Sequence, residues 1–258
     1  MIQVERLSKS FDNQLVIDEV SFQVESGEFF GIIGPNGSGK STLLRMISGV
    51  DPVNSGQIRL DGKLVGEYSR KELARWLAVL QQDSLPPVGF TVREVVEMGR
   101  YPFQNWLGED SKDAEFLIES IIEKLDLKSL MDRPVELLSG GQRQRVALGK
   151  VMAQQPRLLM LDEPTTFLDI GYQIQMMDYI RSWQKEANLT VVAVLHDLNL
   201  AAQYCSRLLV VHEGRVEAVG TADGIMTSEL IDRVYGTKPI VLEHPVNGAP
   251  QILLQPGK

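Results

Sequence analysis

One cysteine, Cys205, occurs among 258 residues, so no internal disulfide can form and a cysteine-based metal cluster has no ligands. That usage is compatible with a reducing compartment. Positive charge is also in short supply. Against 34 Asp and Glu stand 26 Lys and Arg, a formal net charge of −8, which argues against a nucleic-acid partner held by a broad basic face. No apolar run is long enough to cross a bilayer, so a membrane role has to come through a partner. Residues Met1–Arg6 lack a basic stretch leading into an apolar one, and no export signal is expected there. Internal repeats and low-complexity segments are absent as well. What is present, 43% hydrophobic and 23% charged residues, is ordinary for a globular chain able to bury a sizeable core in one or two domains.

The most informative stretch is Gly34-Pro35-Asn36-Gly37-Ser38-Gly39-Lys40-Ser41, which fits the phosphate-loop pattern G-x-x-x-x-G-K-[ST]. Phe29–Ile33 predicts a buried strand ahead of it, and Thr42–Ile47 predicts the first turns of a helix behind it. Glycines at 34, 37 and 39 accept positive φ, which lets the backbone wrap an anion. The wrapped N–H groups and the helix N-terminus then face phosphates with positive potential. In this pattern Lys40 reaches the β- and γ-phosphates and Ser41 ligates Mg²⁺.

Residues 2–33 read as β-rich. Phe11 is a base platform or a core side chain, and aromatic burial favours the core. Asp61-Gly62 joins two short strands as a hairpin turn. Leu77–Leu80 is a short strand ending in Gln81-Gln82, where Gln82 is either a metal or water contact or a solvated strand end. From Thr91 to about Ala153 the pattern is helical. Thr91 and Glu94 have capping-box spacing, and Leu117, Ile118, Ile121, Ile122 and Leu125 form one apolar face. Gly99–Gly108 reads as an aromatic-rich loop, either a local cluster or a docking surface carrying Arg100, Tyr101 and Trp106.

Ser139 is a plausible N-cap for a helix through Val151, and the paired Gly140 and Gly141 allow close approach of an anion. This second phosphate-type site binds another anion or meets the nucleotide of a second molecule. Leu158–Leu161 is a buried strand delivering Asp162 and Glu163 to one point. There Asp162 suits the metal side and Glu163 suits a general base. Thr190–Leu195 is the next buried strand, and His196 at its end is placed to sense the γ-phosphate. A hairpin around Glu213-Gly214, a short helix over 228–235 and weak strands complete the chain.

In this order the motifs resemble those of the ATP-binding subunits of ABC transporters, nearly end to end. Gly34–Ser41 is similar to the Walker A loop, Gln82 to the Q-loop glutamine and Leu138–Gln142 to the LSGGQ signature. Leu158–Glu163 is similar to Walker B with its catalytic glutamate, Asp169 to the D-loop aspartate and His196 to the switch histidine. Phe11 stands where the family places its adenine-stacking aromatic, which turns that residue from core to base platform. Gln81 replaces a frequent proline, and Thr166-Phe167-Leu168 replace smaller residues, without removing a chemical group. Gly99–Pro102, Glu163–Asp169 and Leu195–Asn199 look most like importers of ferric siderophores, with haem and cobalamin importers as near relatives.

The resemblance implies an α/β P-loop NTPase with a RecA-like core, an antiparallel β portion and an inserted α-helical subdomain. The whole chain, 1–258, would be one ATPase domain, with 1–83 and 154–258 as core and 84–153 as the signature-bearing helical part. It implies catalytic roles for Lys40, Gln82, Glu163 and His196, and Mg²⁺ at Ser41, Gln82 and Asp162. ATP would be held by Phe11, Gly34, Pro35, Asn36, Gly37, Ser38, Gly39, Lys40, Ser41, Thr42 and Asp169, and by Ser139, Gly140, Gly141 and Gln142 of a second copy. Polytopic permease subunits at the cytoplasmic face of the membrane would be the partners, with a periplasmic or lipid-anchored substrate-binding protein engaged indirectly and no nucleic acid. Rival readings are a soluble ABC ATPase, as in cluster assembly, and a non-hydrolysing nucleotide-binding module. Intact Glu163 and His196 argue against the second.

Overall fold

The structure, a computed structural model, describes residues 1–12, 14–81, 85, 89–105, 110, 113–166 and 168–255. Two compact units are present, Met1–Glu67 with Thr190–Lys258, and Tyr68–Leu189.

The first unit opens with β1 (Ile2–Phe11), β2 (Gln14–Val24), β3 (Phe29–Ile33), α1 (Lys40–Ile47), β4 (Ser55–Leu60) and β5 (Lys63–Leu64). Alternation along β1 and β2 turns Ile2, Val4, Leu7, Ile17, Val20, Phe22 and Val24 inward, where all are buried. These strands form an antiparallel sheet in the order β2-β1-β4-β5, the expected β portion. By contrast β3 is buried at all five positions, the mark of a strand covered on both faces. Behind it, α1 buries Leu43, Leu44, Met46 and Ile47.

The second unit contains α2 (Arg70–Trp76), β6 (Leu77–Leu80), α3 (Val92–Glu97), α4 (Ala114–Lys124), α5 (Gly140–Ala153), β7 (Leu158–Asp162) and α6 (Ile170–Ala187). Capping boxes start three of its helices: Ser69 with Glu72, Thr91 with Glu94 and Ser139 with Gln142. Neither α2 nor α6 is expected from the apolar periodicity, although Ser69-x-x-Glu72 is the box signal for α2. In this unit β6 pairs in parallel with β7, Leu77 beside Leu158 through Leu80 beside Leu161.

The aromatic-rich stretch differs from the expected loop, because Met98–Phe103 is wound into 3-10 turns. Arg100 is buried there and pairs with Asp110 at 2.6 Å. It also donates to the Ala153 carbonyl and the Gln155 side chain, with the Phe103 ring 4.1 Å from its guanidinium carbon. Its charge is consumed internally, so Arg100 braces the turn rather than presenting a docking anchor. Tyr101 is the exposed member at 59%; Trp106 lies outside the described residues.

The chain returns to the first unit with β8 (Thr190–Val194), α7 (Leu198–Tyr204), β9 (Arg207–His212), β10 (Arg215–Gly220), α8 (Ala222–Ile225), α9 (Ser228–Tyr235), β11 (Ile240–Glu243) and β12 (Pro250–Leu253). There β3 lies between β8 and β9, parallel to both, and β10 pairs antiparallel with β9. The tail hairpin of β11 and β12 is pinned by Asn199, whose amide accepts from the Ile252 N–H at 2.7 Å and donates to its carbonyl. Among the described residues no helix is long and apolar enough to cross a membrane.

Candidate nucleotide site

Residues 34–39 leave the carboxyl end of β3 and turn into α1 as a loop with Gly34, Gly37 and Gly39 all at positive φ. Gly34 has a second constraint beyond its φ of +149°. A β-carbon there would fall 2.0 Å from the Val211 carbonyl oxygen, so β9 permits no side chain. The cap of α1 is Gly39, which offers no side-chain oxygen to the first-turn N–H groups, and no acid sits in that turn. A helix start without its own cap suits an external anion. Lys40 is 5% exposed and donates from Nζ to the carbonyls of Gly34 (2.9 Å) and Pro35 (2.8 Å). The buried Ser38 Oγ has no hydrogen-bond partner. An orphaned buried hydroxyl is costly unless a ligand meets it, and a phosphate oxygen has the required chemistry.

The sequence reading missed one further residue on this loop. Tyr235, from the end of α9, has its phenol near the Gly34 backbone, and burial pushes that phenol up to about 12. Its position 201 residues along the chain carries no local signal. His196 follows β8, whose Val194 lies beside Ile32 of β3. The phosphate loop and His196 therefore leave the same edge of the sheet, where parallel strands gather ligands. The next residue, Asp197, caps α7 through the N–H groups of Asn199 and Leu200. Phe11, at the end of β1, is 44% exposed.

Within the second unit, β7 ends in the half-buried Asp162 and Glu163. Glu163 has φ +54°, a left-handed conformation that costs a β-carbon-bearing residue about 1–3 kcal/mol and clusters at functional sites. Its carboxylate accepts from the Thr166 hydroxyl at 3.3 Å. Ser139 caps α5, and the following glycines have different reasons to be small. A β-carbon on Gly141 would lie 2.5 Å from the Tyr172 ring of α6, whereas one on Gly140 would meet nothing within 4 Å. Asp169 caps α6 by accepting the Tyr172 N–H at 3.0 Å. Tyr172 thus links Asp169 to the helix that starts at Gly140. Gln144 of that helix donates to the Pro164 carbonyl at 3.0 Å, next to Glu163. Gln82 and Phe167 lie outside the described residues.

The sequence model of the ABC transporter family matches residues 17–166. The ferric enterobactin transport ATP-binding protein FepC of Escherichia coli (strain K12) is 39% identical over 249 residues, covering 96% of this chain and 92% of that protein. The hemin import ATP-binding protein HmuV of Rhodococcus jostii (strain RHA1) is 43% identical over 238 residues, covering 92% and 80%. The ABC transporter ATP-binding protein YvrA of Bacillus subtilis (strain 168) is 41% identical over 258 residues, and the chain spans 58% of its length. Among solved structures, a dimeric ATP-binding cassette in a post-hydrolysis state, bound to ADP and Pi, aligns with TM-score 0.74 and 25% identity over 86% of this chain and 98% of its own. The shared architecture is the α/β phosphate-loop fold.

Proposed function

The chain belongs to the ABC transporter family and is an ATP-hydrolysing subunit; from that premise we propose that it powers import of a ferric siderophore through polytopic permease subunits at the cytoplasmic face of the membrane. The observation that carries this reading is the likeness to the ferric enterobactin transport protein, through 96% of this chain and 92% of that one. The substrate-binding protein of such a system would meet the permease rather than this chain. Haem is the second ligand to test, given the hemin import relative.

In this reading ATP lies with its phosphates in 34–42 and its base on Phe11. Lys40 exchanges its carbonyl partners for β- and γ-phosphate oxygens. Mg²⁺ would be held by Ser41, Asp162 and Gln82, and would neutralise charge on the phosphates. All three offer oxygen, as a hard cation requires. Glu163 accepts a proton from the attacking water, and His196 hydrogen-bonds the γ-phosphate.

A second copy supplies Ser139, Gly140, Gly141 and Gln142 to that phosphate, with Asp169 nearby. Leu137 and Ile170, beside the signature and Asp169, are 59% and 80% exposed, as a partner surface would be. Residues 84–153 form the signature-bearing subdomain of one cassette whose core is 1–83 and 154–258. The test is uptake into vesicles reconstituted with the co-purifying permease. Labelled ferric siderophore should enter with ATP and stop with Glu163→Gln. Uptake of haem but not siderophore reassigns the ligand, and absence of any membrane partner overturns the transport reading.

A further inference from the structure

Lys9 is 8% exposed and occupies an inward position of β1, where Ile2, Val4 and Leu7 are apolar. Burying an ammonium there is unfavourable unless it gains partners an apolar side chain could not have. It has two. Lys9 Nζ donates to the Pro52 carbonyl at 2.7 Å, and it lies over the Phe11 ring, 5.0 Å from the centroid.

The carbonyl contact alone does not account for a lysine. The 51–54 loop is already tied down without it: Asn54 N–H donates to the Ser8 carbonyl at 3.2 Å, and Ser10 N–H to the Asn54 side chain at 3.0 Å. Asp51 pairs with Arg45 of α1. What the ammonium adds is charge under an aromatic face, a recognised attraction. Lys9 and Phe11 are two residues apart on one strand, so they share a face of the sheet.

We propose that Lys9 is a positioning residue of the nucleotide site, fixing the Phe11 ring and polarising it from beneath so that its open face stacks more strongly on adenine. The inference rests on the reading of Phe11 as the base platform. A cation on one face draws π-density toward itself, which leaves the opposite face better matched to an electron-rich base. The Pro52 contact adds register. The loop it grips begins at the C-terminal end of α1, whose N-terminus carries the phosphate loop, so one side chain ties the base platform to the phosphate-binding helix.

The experiment measures affinity for ATP and for inorganic tripolyphosphate, which has no base, together with KM and kcat. Lys9→Met should weaken ATP about three- to tenfold while tripolyphosphate binding and kcat stay within about twofold of wild type. Lys9→Arg, which also places a cation on the ring, should recover most of the loss. In a Phe11→Ala background Lys9→Met should have no further effect on ATP. If Phe11→Ala weakens ATP and Lys9→Met does not, the role of Lys9 is overturned and the platform stands. If Phe11→Ala itself leaves ATP binding unchanged, the platform reading fails and takes this proposal with it. Equal losses for ATP and tripolyphosphate would make Lys9 a structural brace only, which also overturns it. Should Lys9→Met not fold, Lys9→Gln runs the same cycle with the same criteria.

Discussion

Lys40 donates from Nζ to the carbonyl oxygen of Gly34 at 2.9 Å, so the lysine of the phosphate loop is folded onto the backbone it must help a nucleotide to enter. The ammonium is held at the centre of its own loop, 5% exposed. In the proposed reading a phosphate would meet a cation already in place, with little side-chain entropy left to lose on binding.

The acid after β7 should separate chemistry from stability. Glu163→Gln keeps shape and removes the general base, so ATP hydrolysis should fall about 10²–10⁴-fold with nucleotide binding retained. Glu163→Gly should be as inactive, yet more stable by about 1 kcal/mol, because φ +54° no longer strains a β-carbon. Phosphate-release assays and thermal melts check both; a Gln variant with near wild-type turnover removes Glu163 from the base role.

The signature and the phosphate loop should meet between two copies. Lys40→Ala and Ser139→Arg are each expected to abolish hydrolysis. In a mixed dimer one site carries both lesions and the other carries neither. Mixing the two folded, exchanging proteins should restore part of the activity, less than half if both sites must fire together. Verified mixed dimers that stay silent, with a covalently isolated monomer that hydrolyses ATP normally, would place both motifs on one chain.

Tyr235 should make stability fall in alkali. Burial raises its phenol from 10.0 to about 12 in the folded protein, so the folded state holds the proton more tightly than the unfolded one. Its contribution is complete below pH 10 and is lost as pH rises through about 12. Tyr235→Phe should flatten melting temperature against pH in that window. At neutral pH it should leave melting within about 1 kcal/mol of wild type, while a raised KM for ATP would follow if the phenol helps to hold the phosphate loop. An unchanged alkaline profile would remove Tyr235 from the phosphate loop.

Arg100 and Tyr101 should part company despite being neighbours. Removing Arg100 takes from Asp110 a buried charge partner, the two side chains being 8% and 12% exposed, and leaves the Ala153 carbonyl without that donor, so Arg100→Ala should lose about 3 kcal/mol of stability. Tyr101→Ala should leave melting unchanged, within about 0.5 kcal/mol, and lower vesicle uptake while ATPase of the isolated subunit persists. Normal uptake would make Tyr101 an ordinary surface residue.

What the sequence determined by itself is whatever depends on neighbours along the chain. The phosphate loop was legible because eight adjacent residues define it and positive φ at 34, 37 and 39 is a backbone demand that glycine announces. The same holds for the caps at Thr91 and Ser139, the turn at Asp61-Gly62 and the apolar runs of β3, β7 and β8. Tertiary structure alone decided which side chains those elements spend on one another. The α6 helix buries only Met176, Met177, Ile180, Trp183 and Gln184, too sparse a stripe to stand out from its polar neighbours. Arg100 reads as an anchor until Asp110, Ala153 and Gln155 take its donors. Gly141 reads as glycine for an anion's sake alone until the Tyr172 ring is seen to need the same space. Gly34 meets Val211 and comes near Tyr235 only because β9 and α9 fold back on the loop. Backbone conformation is a local energy and leaves its mark in adjacent residues; packing pairs residues far apart in the chain, and no single stretch records its partner.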